Sequence, residues 1–196
     1  MSSITTDDVK KLRYQTGISV MQCKQALEEA KGDFDEAFEI LKRKSKSAVQ
    51  KKQDRELGAG AISSYVHNTN NVGVIVELAC ETDFVAKNEE FIGLAYDIAM
   101  HIAAMNPEYK SREDIPQEKM EKIKEMFEEE LKDVPEGAKD KALAGKVDSY
   151  LSGQVLLDQL FIKDSDNTIG NLIEKAVQKF GERVELTRFQ RFAVGE

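Results

Sequence analysis

The chain predicts an α+β fold: an N-terminal three-helix module, a basic linker, and a core in which an antiparallel sheet of about three strands is packed by helices. Three observations carry this. Apolar residues recur at helical spacing in three short runs within the first forty or so residues, and again across NEEFIGLAYDIAMHIAAM. Between those stretches, AISSYVH and VIVELAC alternate with the period of strands. Of the 196 residues, 41% are hydrophobic and 33% charged, enough for a core of ordinary size under a highly solvated surface. The expected boundaries are a module over 1–44, a basic linker helix over 45–57, and a core over 58–196 that includes the last strand.

In the module, Thr6 is placed to cap the first helix, with Val9, Leu12 and Arg13 on successive turns, and Gly17 ends it. Ser19 caps MQCKQALEEAK, whose Cys23, Ala26, Leu27 and Ala30 form one face before Gly32 stops it. Asp33 starts DFDEAFEILKRK, with Phe34, Ala37, Phe38 and Leu41 at helical spacing. A triplet of this size buries little area and is marginally stable by itself. After it, Lys42, Arg43, Lys44, Lys46, Lys51, Lys52 and Arg55 face only Asp54, the pattern of a solvated linker helix.

Gly58 and Gly60 break the helical pattern, and a hairpin follows. Ile62, Ser64 and Val66 alternate with Ala61, Ser63 and Tyr65, and Asn68 to Gly73 supply turn residues that tolerate positive φ. Val72, Val74, Val76, Leu78 and Cys80 share one face of the second strand. That face ends at ELACETDFVAK, where the acid Asp83 and the aromatic Phe84 stand side by side before the helix N-cap Asn88. A charge and an apolar wedge on a short connection between rigid elements can enter another protein at little ordering cost. The alternative tucks Phe84 and Val85 into the chain's own core and leaves Asp83 to cap the following helix.

The next helix directs Phe91, Leu94, Ala95, Ile98, Ile102 and Met105 toward the sheet and ends at Pro107. Residue chemistry alone reads its His101 as a packed imidazole. Pro116 suits a first helical turn, with Met120, Ile123, Phe127 and Leu131 as the apolar stripe of a charged helix. Pro135, Glu136 and Gly137 break it before a helical stretch through Ala142, Val147 and Tyr150. A short apolar segment leads into a helix from about Thr168 to Phe180, which buries Leu172, Ile173, Ala176, Val177 and Phe180 and ends at Gly181. In the closing strand Val184, Leu186, Phe192 and Val194 share parity, opposite Phe189 and Ala193.

Several function classes are excluded. Cys23 and Cys80 lie far apart without a CxxC pair, and His67 and His101 have no nearby cysteine, so no zinc site, cofactor or disulfide is expected. A net charge of −8 argues against nucleic acid as the main ligand, and no aromatics interleave with the basic run. No apolar run approaches the roughly 20 residues that span a bilayer, and MSSITTDDVKKL lacks a secretory core, so a cytoplasmic chain without a membrane partner is expected. GxxxxGKS, GxSxG and HExxH are all missing; the remaining enzymatic reading is a cysteine hydrolase built on Cys80 and His101.

Two stretches resemble a known family. TDFV followed by Ala86 and Lys87, and LRYQTGISVMQCKQAL over residues 12–27, are similar to the two signatures of the elongation factor Ts family. AMHIAAMNP and the C-terminal LLxQ, FxKD and RFxxGE series also match, so the resemblance runs from about Thr5 to Gly195 and is weakest from Ser111 to Gly145. It implies a ubiquitin-associated type module at the N-terminus and a protein that releases GDP from elongation factor Tu without covalent chemistry. Thr82, Asp83, Phe84 and Val85 would wedge the switch region and disturb the magnesium ion's water shell. His101 would reach the phosphate-loop side, and Arg13, Val20 and Met21 would anchor the module. Departures are Ala79, Gln22 and Val20, where asparagine, aspartate and methionine are usual. Only one hairpin-plus-helix unit is evident, as in short members, so the chain would pair with itself in a two-to-two complex with elongation factor Tu. The module by itself would equally suit a ubiquitin-type adaptor.

Overall fold

The computed structural model describes residues 4–132 and 134–196; the side chains of Lys46, Ala48 and Glu136 lie outside it, and with them the expectation for the charge of Lys46. Helices and a small antiparallel sheet of three strands make up the fold, as the α+β reading requires. Helix α1 (Thr6–Thr16) is capped by Thr5 rather than Thr6. The reason is reciprocal bonding: the Thr5 hydroxyl accepts the Asp8 N–H at 3.2 Å while the Asp8 carboxylate accepts the Thr5 N–H at 2.9 Å. A cap at Thr6 would put Val9 in the returning position, and valine has nothing to return. Gly17 closes α1 in the left-handed region at φ 69°.

Helix α2 (Val20–Glu29) starts at Ser19, whose Oγ accepts the Gln22 N–H, and α3 (Phe34–Gln50) starts at Asp33, whose carboxylate accepts the Glu36 N–H at 2.9 Å. The three helices close on Val9, Leu12, Ile18, Cys23, Ala26, Leu27, Ala37, Ile40 and Leu41. Phe38 is exposed, and Ile40 takes the core position expected for it. No separate linker helix spans 45–57: α3 runs on to Gln50, and residues 51–54 turn. Residues 42–50 contain neither glycine nor proline, and Leu41, Ser45 and Val49 extend the inward stripe at four-residue spacing. Ser45 is buried with its hydroxyl donating to the Leu41 carbonyl at 3.0 Å.

Strands β1 (Ala59–Val66) and β2 (Val72–Cys80) form the hairpin, with Asn70 at φ 57° in its turn. A four-residue helix α4 (Asp83–Ala86) and the long α5 (Glu89–Met105) follow, then α6 (Gln117–Glu130) and α7 (Glu136–Gln154). Strands β3 (Leu160–Phe161) and β4 (Asp164–Thr168) precede α8 (Ile169–Phe180) and β5 (Val184–Ala193). The sheet order is β1-β2-β5, and β3 pairs with β4 in a separate antiparallel ribbon. Antiparallel pairing of β5 on β2 follows from its contacts: the Thr187 hydroxyl donates to Glu77 O at 3.1 Å and the Val194 N–H to Asn71 O at 2.9 Å. In β2, Val74, Val76, Leu78 and Cys80 are buried, as the alternation predicts.

The chain forms two compact units. The first takes in the chain to Ile62 with Glu77–Ala95 and Asn171–Thr187; it contains the three-helix module, α4 and most of α8, and the Phe91 and Phe180 rings meet edge to face at 6.0 Å. The second takes in Ser63–Val76, Tyr96–Gly170 and Arg188–Glu196. There α6 and α7 close on Ile115, Ile123, Phe127, Leu151 and Val155. Asn88 caps α5 by accepting the Glu90 N–H at 2.9 Å, but Met105, expected inward, is 45% exposed, and Ala99 and His101 are buried instead. Among the described residues no helix is long and apolar enough to cross a membrane.

Candidate partner-binding tip

The segment after β2 is built to present two side chains. β2 delivers a buried Cys80, and the chain turns through Glu81 and Thr82 into the single helical turn of α4. Along that turn Val85 points inward at 4% exposure, whereas Phe84 stands 83% exposed. The packed alternative therefore describes Val85 but not Phe84. A phenyl ring left in water forgoes about 1.5–3 kcal/mol of burial, which a partner surface can recover. Beside it the Asp83 carboxylate pairs with Lys87 Nζ at 2.7 Å, one turn along the helix. The hydrogen bond and charge of Lys87 hold the Asp83 carboxyl below its ordinary range, so it is an anion at neutral pH.

The other expected contact residues fall in two groups. Arg13, Val20 and Met21 are all exposed around the turn at Gly17, with Met21 65% exposed. Tyr14 lies with them at 93% and was not anticipated. Its signal was in the sequence: it stands off the Val9, Leu12 and Thr16 stripe that faces the module core. His101, which the resemblance directs to the phosphate-loop side, lies fully buried on α5 in the chain by itself. Its Nε2 meets Gln159 Oε1 at 3.0 Å and its ring lies 6.1 Å from that of Phe161. Because the Gln159 amide nitrogen donates to Gly153 O at 2.7 Å, its oxygen is left to accept, so Nε2 of His101 carries the proton. Burial lowers the imidazole's pKa, against a smaller opposing pull from Gln159, and the ring is neutral.

Cys80 has none of the character of a nucleophile. Burial raises its thiol, Glu182 adds to that, and Sγ sits 3.2 Å from the Thr82 carbonyl oxygen, to which it donates. With His101 buried and neutral as well, the hydrolase reading has neither an accessible thiolate nor an accessible base. Among the described residues no group of three or more His, Cys, Asp or Glu could hold a metal ion. One residue at the tip escaped sequence reasoning altogether. The Glu182 carboxylate bonds the backbone of Glu81 and Thr82, and no local pattern marks a partner one hundred positions away.

Comparison with known proteins bears on what such a tip serves. The model of the family described as Elongation factor TS matches residues 5–196. A protein named Elongation factor Ts from Thermodesulfovibrio yellowstonii is 49% identical over 195 residues, covering 99% of this chain and 98% of the relative. Those from Thermosipho melanesiensis and Pseudothermotoga lettingae are 46% and 44% identical, each over at least 96% of both chains.

Proposed function

The chain belongs to the elongation factor Ts family and serves in translation elongation, and on that premise we propose that it accelerates GDP release from elongation factor Tu with the Asp83–Phe84 tip as its working part. The observation that carries this is the exposed Phe84 ring beside an ionised Asp83 on a turn whose third member, Val85, is anchored in the core. A GTPase holds its nucleotide through phosphate-loop amides and a magnesium ion, both intolerant of small displacements. In this reading Phe84 enters an apolar gap near the switch region, and Asp83 exchanges Lys87 for groups that order the magnesium ion's water shell. Arg13, Val20, Met21 and Tyr14 supply a second contact from the module. His101 supports the fold from inside rather than touching the partner.

No covalent step is required. Exchange is linkage, in which the factor weakens nucleotide binding by as much as nucleotide weakens the factor's own binding. A ten-thousandfold faster release corresponds to about 5.5 kcal/mol of transition-state stabilisation. We further propose that the chain acts as a homodimer in a two-to-two complex. Val66, Ile75, Phe192 and Val194 occupy the outward positions of β1, β2 and the β5 end, and all are at least 48% exposed. An apolar sheet face of this kind is what two copies bury against each other.

The test is release of a fluorescent GDP analogue from the cognate elongation factor Tu. Wild type is expected to accelerate it, and an Asp83→Ala, Phe84→Ala double variant to lose roughly a hundredfold, about 2.7 kcal/mol. Undiminished release by that variant would remove the tip from the mechanism. No release by wild type at saturating concentration would remove exchange itself and leave the adaptor reading.

A further inference from the structure

Helix α4 has four residues, fewer than an isolated helix needs, and its N-cap residue makes no side-chain cap bond. Thr82 is chemically able to cap. Its hydroxyl instead donates to Glu182 Oε1 at 2.6 Å, while the other oxygen of that carboxylate accepts the backbone N–H groups of Thr82 at 3.0 Å and Glu81 at 3.2 Å. The grip is returned. Glu81's own carboxylate accepts the Arg183 backbone N–H and both its oxygens meet Arg55 Nη1, at 3.1 and 3.2 Å. Arg183 in turn donates to the Arg55 carbonyl at 2.7 Å. Two glutamates thus exchange carboxylates across the entrance to the tip, each holding the other's neighbouring backbone. Burial would raise the Glu81 carboxyl, but the Arg183 amide and the Arg55 guanidinium outweigh it and hold it below its ordinary value.

Resting on the exchange reading above, we propose that Glu182 is a positioning residue for nucleotide exchange: its carboxylate clamps the Glu81–Thr82 backbone and so fixes the direction in which Asp83 and Phe84 project. The exposed side chains cannot do this themselves. The Asp83 carboxylate bonds within its own turn, to Lys87 and to the turn's first backbone amides, and Phe84 touches water over most of its surface. Val85 anchors the far end of the turn, and the Glu182 carboxylate anchors the near end. Pre-set orientation matters because a wedge that must be ordered on binding loses that entropy from the exchange step.

Glu182→Ala removes all three bonds. Glu182→Gln keeps them, since the amide oxygen accepts both N–H groups and the Thr82 hydroxyl reverses to accept from the amide nitrogen. The expected result is a saturating GDP-release rate reduced roughly tenfold to a hundredfold in the alanine variant, with a smaller change in the half-saturating concentration, and near wild-type behaviour in the glutamine variant. On the Asp83→Ala, Phe84→Ala background, Glu182→Ala is expected to add nothing, because a clamp has no effect once the clamped groups are gone. Thr82→Val, which deletes one bond only, covers the case in which the alanine variant fails to fold. Full activity in both folded variants, a glutamine variant as slow as alanine, or full additivity on the tipless background would each overturn the proposal.

The chain contains no tryptophan and five tyrosines, so Phe84→Trp gives a single tryptophan at the tip, which can be excited selectively at the red edge where tyrosine does not absorb. Its anisotropy decay in the free protein is expected to gain a fast component when Glu182→Ala is added. An unchanged decay overturns the clamp, and because elongation factor Tu is absent from that measurement, its outcome is independent of whether exchange occurs.

Discussion

At the scale of single residues, burial decides chemistry that residue type leaves open. Asp83 and His101 were both candidates for partner contact, and their surroundings separate them: Asp83 is an exposed anion, His101 a neutral ring sealed in the core. The buried Nδ1 of His101 has no hydrogen-bond partner, so protonation there would place a charge without an acceptor. The sign of the consequence follows. Its folded pKa lies below its unfolded value of about 6.5, so the unfolded chain takes up the proton first. The stability His101 contributes is present above that value and declines as pH falls below it. The melting temperature of wild type is expected to drop between pH 7 and pH 5, and that drop to shrink in His101→Gln; parallel curves would mean that the ring titrates alike in the folded and unfolded chain. The Asp83→Ala, Phe84→Ala variant, altering only exposed groups, is expected to melt with wild type, within about 0.5 kcal/mol.

At the scale of elements, termini and close approaches carry the specific information. Ser19 satisfies an N–H at the start of α2, and Ser19→Ala is expected to cost about 1 kcal/mol, read as earlier chemical unfolding of the module. Gly60 was legible only as a helix breaker. In the structure it lies within β1, where a Cβ would fall 2.6 Å from the Leu78 carbonyl oxygen. Backbone cannot yield as a side-chain end can, so Gly60→Ala is expected to destabilise by about 1–3 kcal/mol, measured by denaturant midpoint. Helix existence was readable because apolar stripes such as Met120, Ile123, Phe127 and Leu131 repeat at one period over several turns. The β3–β4 ribbon was not, since Asp164–Thr168 is wholly polar and Leu160–Phe161 has two residues, too few to show alternation.

At the scale of the whole molecule, the outward sheet positions are where the proposed two-to-two assembly is tested. Ile75 and Phe192 are 48% and 62% exposed, and the second copy proposed above would cover them. Ile75→Glu with Phe192→Glu is expected to halve the sedimenting mass while far-ultraviolet circular dichroism stays unchanged. Wild type sedimenting as a monomer at the same concentration would refute the two-to-two complex. Arg43 and Lys44 pair with Glu36 and Glu29 within the module, and Lys52 reaches the Val177 carbonyl oxygen at 3.4 Å.

The sequence alone determined what depends on short-range pattern: the three capped helices, the hairpin, the α+β class, and the TDFV and N-terminal stretches that mark the family. These rest on periodicity, turn chemistry and local strings, each contained within about a dozen neighbouring residues. Only the tertiary structure decided that Phe84 faces water while Val85 does not, that His101 is sealed, and that Glu182 meets Thr82. Those outcomes depend on which distant segments pack over a residue or bond to it, and a one-residue rotation on a single helical turn is enough to exchange a wedge for a core anchor.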